Sequence, residues 1–185
     1  MTNEIFTSKK GTVCSIRPVK LEDVKQIFTH YEQLLRDNEP IATIGDQKAS
    51  LEAATEGMEQ KLKRIHDGTF YEVVIEHQNK VVGNGGWYRT KGSTGHLAFI
   101  FFSIDKEFRN QGIAKKTAEI LLENARRNNE INKMVAEILE VNNPSISLCK
   151  KLGFVEVARK PEWYRYNGKL IDEVVMIKNL NEAKQ

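Results

Sequence analysis

Two strand-like stretches, separated by a glycine-containing loop and a helical pattern, constrain the fold more than any other feature of the chain. The stretch HLAFIFFSI (residues 96–104) is nearly all apolar, which is typical of a strand buried on both faces of a sheet. After it, residues 113–128 carry apolar side chains at helical spacing, and KMVAEILEV (residues 133–141) indicates a second buried strand. This order of elements predicts a βαβ crossover with two parallel strands at the centre of the fold.

The remaining sequence predicts further helices and strands around this crossover. The predicted elements are a strand at Val13–Arg17, helices at about Glu22–Arg36 and Leu51–His66, two strands around the turn His77–Lys80, a short helix from Pro144 to the stop at Gly153, and two final strands joined by a long turn that contains Asn167 and Gly168. Residues 38–50 are irregular and polar, and residues 1–11 are expected to fray. The glycines of GNGG (residues 83–86) predict a bulge or a close backbone approach. The order β-α-α-β-β-β-α-β-α-β-β therefore predicts one mixed α/β domain over residues 1–185.

The composition excludes several classes of protein. No apolar run approaches the roughly 20 residues of a membrane helix, and the N-terminus lacks the apolar core of a signal peptide, so we expect a cytoplasmic protein that does not bind a membrane. Two cysteines far apart in sequence, Cys14 and Cys149, favour free thiols over a disulfide framework. The net charge of +3 comes from basic residues dispersed among acidic ones, which does not favour nucleic-acid binding. The four histidines form no cluster with metal-ligand spacing, so we predict no metal site.

The stretch FRNQGIAKK (residues 108–116) joins the first buried strand to the helix. Amides at a helix N-terminus have no intrahelical partners, and the helix dipole places partial positive charge there, so this loop is suited to hold an anion. Gly112 and Ala114 leave little side chain between the backbone and a phosphate group. The alternative is an ordinary strand-to-helix connection that binds nothing. The loop matches neither the GxxxxGK[ST] nor the GxGxxG phosphate-binding motif.

A second motif gives this loop a more specific interpretation. Residues 109–114 fit the pattern [RQ]-x-x-G-x-[GA], and about thirty residues later NNPSISLCKKLGF (residues 142–154) fits N-x-x-S-x-x-L-[YH]-x-x-x-G-F except at Cys149. The two motifs in this order resemble the GNAT superfamily of acyl-CoA-dependent N-acetyltransferases. The resemblance covers most of the chain, is strongest over residues 97–154, and extends to phosphinothricin, amino-acid and ribosomal-protein N-acetyltransferases. It implies a mixed, mostly antiparallel central sheet with a splayed parallel pair and flanking helices.

The resemblance also implies which residues bind acetyl-CoA. The strand before the loop would bind the pantetheine arm through the backbone of Phe102, Ser103 and Ile104. The loop amides and one neighbouring lysine would hold the pyrophosphate: Arg109, Asn110, Gln111, Gly112, Ile113, Ala114 and Lys115. Asn142 and Ser145 match polar positions near the arm. Without a cofactor, Phe102 and Ile104 would be core residues, and Asn142 and Ser145 would cap a helix.

The resemblance implies a residue that protonates the leaving thiolate, and in many relatives this residue is a tyrosine. The matching position here is Cys149, whose thiol is either that acid or a small buried residue. Glu137 matches a glutamate proposed as the base in some relatives, and its alternative is a solvated strand carboxylate. His96 and Glu72 are weaker candidates for the base. A covalent acetyl-Cys149 intermediate is not favoured, since nothing in the sequence pairs this cysteine with a histidine.

The acceptor is predicted from the segments that match no motif. The two N-terminal helices, residues 38–50 and the turn RKPEWYRYNGK (residues 159–169) should select it. Trp163, Tyr164 and Tyr166 would then form a substrate wall or a subunit contact, or simply pack. The predicted reaction is direct transfer of an acetyl group from acetyl-CoA to the primary amine of a small or amino-acid-like molecule. The alternatives are acetylation of a protein N-terminus and a non-catalytic acyl-CoA sensor, and the resemblance makes a homodimer one predicted assembly.

Overall fold

The computed structural model of the protein describes residues 3–41 and 50–181. The strands within these residues are β1 Glu4–Thr7, β2 Val13–Pro18, β3 Phe70–His77, β4 Lys80–Arg89, β5 Leu97–Ile104, β6 Lys133–Leu139, β7 Val155–Tyr166 and β8 Lys169–Asn179. The helices are α1 Val24–Arg36, α2 Leu51–His66, α3 Ile113–Arg126 and α4 Asn143–Lys151. Of the segment predicted to be irregular, residues 42–49 lie outside the described residues.

The described strands form one sheet in the order β1-β2-β3-β4-β5-β6-β8-β7. The pair β5 and β6 is parallel, and the other neighbouring strands are antiparallel. This arrangement confirms the predicted mixed α/β fold with a central crossover, in which α3 connects the two parallel strands. No helix in the described part of the chain is both long enough and apolar enough to cross a membrane.

The two parallel strands separate along their length. They pair at Leu97–Lys133, Ala98–Met134 and Phe99–Val135, and the ladder of the described residues stops there. On its other side β5 stays paired with β4 as far as Ile104, and β6 stays paired with β8 as far as Leu139. Because each strand is held by its outer neighbour, the separation opens a gap within the sheet beyond Phe99, as the predicted splayed pair requires.

The glycines of β4 bring β4 close to its neighbours. A Cβ atom on Gly86 would lie 2.2 Å from the Tyr71 carbonyl oxygen and 2.7 Å from Phe101 Cζ, so only glycine fits there. The same region carries a bulge, since the pairing of β3 with β4 shifts between Ile75 and Glu76. The close approach at Gly86 and the bulge both agree with the prediction from GNGG. The close approach also places Phe101 of β5 against β4 in the middle of the sheet.

The N-terminus differs from the expectation of a frayed start. Residues 4–7 form β1, which pairs antiparallel with β2, and Ser8 is buried. The reason is long-range: the Ser8 hydroxyl donates a hydrogen bond to Gln111 Oε1 (2.9 Å), and Phe6 packs on the core. A strand of four residues with Ile5 exposed gives no periodic signal, which explains why the sequence pattern did not indicate it.

The C-terminal hairpin also differs from its predicted form. The predicted long turn is a two-residue turn, because Tyr166 pairs with Lys169 directly across Asn167 and Gly168, both with positive φ. The irregularity lies instead in β7, where residues 161–163 bulge opposite a single residue of β8. This bulge turns the hairpin between Lys160 and Tyr164.

Candidate active site

The loop between β5 and α3 presents unused backbone amides. Gly112 is the N-cap of α3 with φ +87°, a left-handed conformation that favours glycine, and Asn110 also has a positive φ. No side chain caps the helix, and the first intrahelical bond runs from the Lys116 amide to the Gly112 carbonyl (3.0 Å). The amides of Ile113, Ala114 and Lys115 therefore belong to the turn whose donors have no partner within the helix, and the dipole favours an anion there.

Side chains of the loop mostly hold it in place. Gln111 is buried, accepts hydrogen bonds from Ser8 and Thr12 and donates to the Glu107 carbonyl oxygen (3.0 Å). Arg109 donates through Nε to the Ile104 carbonyl oxygen (2.9 Å) and through Nη1 to Glu39 (2.8 Å).

Lys115 is exposed and lies 3.5 Å from Glu119. Because two of the three Arg109 nitrogens are used within the protein and Lys115 has an acidic neighbour, backbone amides dominate the loop's attraction for an anion.

A cavity of about 470 Å³ fills the gap between β5 and β6 and continues to α1 and α2. Phe102 and Ser103 of β5 and residues 136–139 of β6 line the two sides of the gap. Ile104, in contrast, is buried in the hydrophobic core and does not belong to the described wall. One continuous space therefore joins the strand predicted to bind the pantetheine arm to the helices predicted to select the acceptor.

The start of α4 closes one end of the cavity. Asn142 caps this helix, because its Oδ1 accepts from the Ser145 amide (3.2 Å), and its Nδ2 donates to the Pro40 carbonyl oxygen (3.0 Å). Asn142 and Ser145 line the cavity as well, so their capping role and a position beside a ligand coexist.

Cys149 lies one turn further along α4 and reaches both the core and the cavity. Its side chain is 2% exposed, packs within the core cluster and forms part of the cavity wall. Burial raises the pKa of the Cys149 thiol to about 11. The thiol is therefore protonated at neutral pH, which disfavours its use as a thiolate nucleophile.

Glu137 lines the cavity and is held by an ion pair. Lys160 donates to Glu137 Oε1 (2.7 Å) and also contacts the buried carboxylate of Glu173. Burial opposes the charged form of Lys160, but its hydrogen bonds to Glu137 and Glu173 outweigh this and raise the pKa of Lys160. Burial, followed by a hydrogen bond to Glu173 (2.7 Å), raises the pKa of Tyr164. Glu137 is thus a partly exposed carboxylate with one oxygen held by Lys160, and its role as the base stays a prediction.

The three aromatic residues of the hairpin lie elsewhere. Trp163 is 59% exposed beside the Lys160 ammonium, Tyr164 binds Glu173, and the Tyr166 hydroxyl donates to the Asn38 carbonyl oxygen (2.8 Å). The described cavity wall includes none of them. These three aromatic residues therefore do not belong to the described cavity wall, and a subunit contact through them stays a prediction.

A chain of polar side chains that the sequence analysis missed borders the cavity. Glu72, fully buried, accepts from Lys61 (3.1 Å) and from Asn84 Nδ2 (2.8 Å). Ser103 donates to Asn84 Oδ1 (2.8 Å) and contacts His30 Nε2 (2.8 Å).

The far end of this chain is Asp105, whose Oδ1 lies 2.5 Å from His30 Nδ1. Of the weaker candidates for the base, Glu72 thus belongs to this chain, whereas His96 is exposed before β5 and does not line the described cavity. A signal for His30 did exist, because it lies on the inward face of α1 between Ile27 and Leu34.

The search for metal-binding groups found no cluster of three or more histidine, cysteine or acidic side chains within residues 3–41 and 50–181. The polar groups around the cavity instead pair with one another. The arrangement suits a ligand with an anionic end at the α3 amides and a strand-like arm in the gap.

Comparisons with known proteins agree with this geometry. The sequence profile of the acetyltransferase (GNAT) domain matches residues 15–155, about three quarters of the chain. No curated protein sequence matches at a significant level.

Solved structures with the same fold include three that bear on the site. The ribosomal-protein-S5-alanine acetyltransferase from Vibrio fischeri is 16% identical, with a TM-score of 0.83 and full coverage of both chains. The protein yncA from Salmonella typhimurium, solved with its cofactor acetyl-CoA, is 22% identical, with a TM-score of 0.80 over 93% of this chain and 96% of that one. A ribosomal-protein-alanine N-acetyltransferase from Brucella melitensis is 23% identical, with a TM-score of 0.77 over 89% and 98% of the two chains.

The match of the domain profile is the decisive finding, since it covers both motifs, the parting strands and the cavity. The chain therefore belongs to the GNAT acetyltransferase family and is an acetyl-CoA-dependent N-acetyltransferase.

Proposed function

We propose that the protein transfers the acetyl group of acetyl-CoA to the primary amine of a small or amino-acid-like molecule by direct attack. The observation that carries this proposal is the single cavity that joins the gap between β5 and β6 to α1 and α2. Two substrates held next to each other in one cavity react with far less loss of freedom than two molecules that meet in solution.

The acetyl-CoA site follows from the loop and the parting strands. The amides at the start of α3 would bind the pyrophosphate, since they lack partners within the helix. The edge of β5 that faces β6 has no strand partner beyond Phe99 among the described residues, so its backbone groups are suited to pair with the amides of the pantetheine arm. Phe102 and Ser103 would then border the arm, and Asn142 and Ser145 would lie near its end.

Cys149 is our proposed proton donor to the departing thiolate. Its raised pKa keeps the proton on sulfur at neutral pH, so the group is in the form that a general acid requires. A thiol in open water has a pKa of about 8.5, and donation from Cys149 to such a thiolate would be uphill by roughly two pKa units. The pKa of Cys149 and that of the departing thiol become similar only if the thiolate lies in the same buried part of the cavity, where burial raises both pKa values.

Glu137 has, in our proposal, the role of attracting and orienting the ammonium form of the acceptor. Its carboxylate faces the cavity, but Lys160 already donates to one of its oxygens. A proton placed on Glu137 would weaken that ion pair and leave the lysine poorly matched. The second oxygen can still accept a hydrogen bond from an amine without this penalty.

The walls on the acceptor side favour a compact substrate. Phe28, Tyr31 and Met58 from α1 and α2 supply apolar surface, and burial raises the pKa of Tyr31 so that it stays neutral. A protein N-terminus is the second candidate, because the Vibrio and Brucella structures with this fold are ribosomal-protein-alanine acetyltransferases.

A panel of acceptors tests the proposal. Release of the free thiol from acetyl-CoA is followed with small primary amines, amino acids and their amides, and peptides that begin with alanine. Faster turnover with the small amines or amino acids is expected. A clear preference for the peptides would move the assignment to a protein N-terminus, and the absence of thiol release with every acceptor would contradict both.

Two wider expectations belong with this proposal. We propose a cytoplasmic location, which the two buried free cysteines favour because reduced thiols persist there. A homodimer stays a prediction, and light scattering of the purified protein measures it.

A further inference from the structure

The polar chain that borders the cavity carries a further inference. Its members come from five elements: His30 from α1, Lys61 from α2, Glu72 from β3, Asn84 from β4, and Ser103 with Asp105 from the end of β5. Asn84 and Ser103 face the cavity, His30 is 5% exposed behind Ser103, and the Asp105 side chain is 20% exposed. The chain therefore connects the interior of the cavity to solvent.

The donors and acceptors in this chain allow two arrangements of its protons. Asn84 Nδ2 donates to Glu72, so Asn84 Oδ1 faces Ser103 and accepts its hydroxyl proton. Ser103 Oγ is left to accept from His30 Nε2, and the Asp105 carboxylate accepts from His30 Nδ1. In this first arrangement both ring nitrogens donate, which requires His30 to be an imidazolium.

The second arrangement has a neutral His30 and a Ser103 hydroxyl that is rotated from Asn84 towards His30. When His30 is neutral, its Nδ1–H still donates to Asp105, and Nε2 becomes an acceptor for the Ser103 hydroxyl. Asn84 Oδ1 then loses its donor and faces the cavity as a free acceptor. In both protonation states of His30, its two ring nitrogens keep hydrogen-bond partners. In the neutral state Asn84 Oδ1 is in addition free to accept a hydrogen bond from an ammonium in the cavity.

We propose that the proton of the acceptor ammonium leaves the cavity through Ser103 to His30 and then to solvent at Asp105. As an N–H bond of the ammonium breaks, its proton bonds to Ser103 Oγ, and the former hydroxyl proton moves to His30 Nε2. The products are a neutral amine, an intact serine and an imidazolium paired with the Asp105 carboxylate. His30 does not touch the substrate itself but acts through Ser103, so it is a positioning residue. The inference rests on the proposed function.

The charges around the cavity explain why this route is preferred to a carboxylate base. Glu72 is paired with Lys61 and Glu137 with Lys160, so protonation of either carboxylate would weaken an existing ion pair, although Lys160 would keep its contact with Glu173. Protonation of His30 instead creates a cation in contact with Asp105. The free-energy balance therefore favours His30 as the proton acceptor.

Other charged groups near His30 come from each element packed around it. Asp105 touches the ring, the Lys61–Glu72 pair lies beyond Asn84, and the Arg109–Glu39 pair lies at the end of β5. Each pair beyond Asp105 is internally neutral, and Asp105 is the charged group in direct contact with the His30 ring.

Kinetics against pH provide the first test, with the best acceptor of the panel. In the wild type, kcat/KM should rise with pH as His30 loses its proton and then level off. His30→Gln keeps a donor near Ser103 but cannot accept the proton, so kcat/KM at pH 7.5 should fall by about 10²-fold or more. The remaining activity should rise with pH along the neutral fraction of the free amine and should not level off where the wild type does. Ser103→Ala should lower kcat/KM similarly. His66→Gln, on the exposed end of α2, is the matched control and should behave as the wild type.

Nuclear magnetic resonance of the imidazole nitrogens provides the second test, which does not depend on an acceptor. The His30 signals, assigned by their loss in His30→Gln, should change with pH, and Ser103→Ala should alter the change at Nε2. A wild-type pH profile of kcat/KM in His30→Gln, or His30 signals that do not respond to pH, would overturn the inference. If no amine in the panel is acetylated, the proposed function fails, and the comparison of the Nε2 signal between the wild type and Ser103→Ala still tests the contact of His30 with Ser103.

Discussion

Replacing Gly112 by aspartate, with asparagine as a neutral control of the same shape, tests the phosphate loop most directly. A Cβ atom at this position would meet only Phe6 Cζ at 3.8 Å, an ordinary contact, so neither variant clashes. The φ of +87° costs a residue other than glycine about 1–2 kcal/mol, and aspartate and asparagine tolerate it best. Because the two variants share this backbone cost, a difference between them measures charge.

The expected size of the charge effect follows from Coulomb's law. A carboxylate at the N-cap would lie about 6 Å from a phosphate bound at the amides, and at an effective dielectric constant of about 40 each pair of charges repels by about 1.4 kcal/mol. A pyrophosphate carries two such charges, so Gly112→Asp should bind CoA about 100-fold more weakly than Gly112→Asn. Raising the salt concentration from 50 mM to 500 mM should narrow this ratio, since screening shortens the range of the repulsion.

Isothermal titration calorimetry with CoA measures the dissociation constants, and thermal unfolding checks that both variants stay folded. Equal dissociation constants for Gly112→Asp and Gly112→Asn at low salt would refute the assignment of the pyrophosphate to the α3 amides. A loss of affinity shared by both variants would point to the backbone conformation and not to the charge of the ligand.

Two further residues give predictions of their own. Cys149→Ala should lower kcat more than it weakens CoA binding. Wild-type turnover in this variant would show that Cys149 only packs in the core and does not donate the proton. Burial raises the folded-state pKa of Cys149 from about 9 to about 11, which contributes roughly 2–3 kcal/mol to the free energy of unfolding below pH 9. This contribution is lost as pH rises from about 9 through about 11. The fall in Tm over this range should therefore be smaller in Cys149→Ala than in the wild type. Glu137→Gln should raise KM for the amine about fivefold with a smaller change in kcat, because it removes one charge-assisted hydrogen bond while Lys160 keeps its contact with Glu173. Glu156→Gln removes an exposed carboxylate beside Arg159 and, as the control, should change neither KM nor kcat. If Glu137→Gln lowers kcat by more than it raises KM, Glu137 is the base.

The parts of the fold predicted from sequence are those with local signals. The composition of residues 97–104 and 133–139 predicted two central strands, and Gly112 and Pro144 indicated helix starts by their backbone preferences. β6 is mostly buried, as predicted, whereas six of the eight residues of β5 are only half-buried. The separation of β5 and β6 came only from the family resemblance. It depends on which strands pair on the outer sides, and no spacing within β5 or β6 encodes that.

The parts that sequence reasoning missed depend on contacts between distant residues. His30 meets Ser103 and Asp105, which lie 73 and 75 positions away, and on its own helix it is an inward-facing polar residue. The sequence did not show the partner of Glu137, because Lys160 lies 23 positions further on, in β7, and on the other side of β8. Motifs identify residues that share one loop or helix, whereas these partners become neighbours only when the sheet forms.

Residues 38–41 connect the two ends of the site and give the motif residues a second role. Glu39 binds Arg109 of the phosphate loop, the Pro40 carbonyl oxygen accepts from Asn142 at the start of α4, and the Asn38 carbonyl oxygen accepts from Tyr166 of the hairpin. Pro40 and Ile41 in turn line the cavity. Arg109 and Asn142, which match cofactor motifs, therefore also hold the segment that bounds the acceptor space, so a change at either should alter the choice of acceptor together with the affinity for CoA.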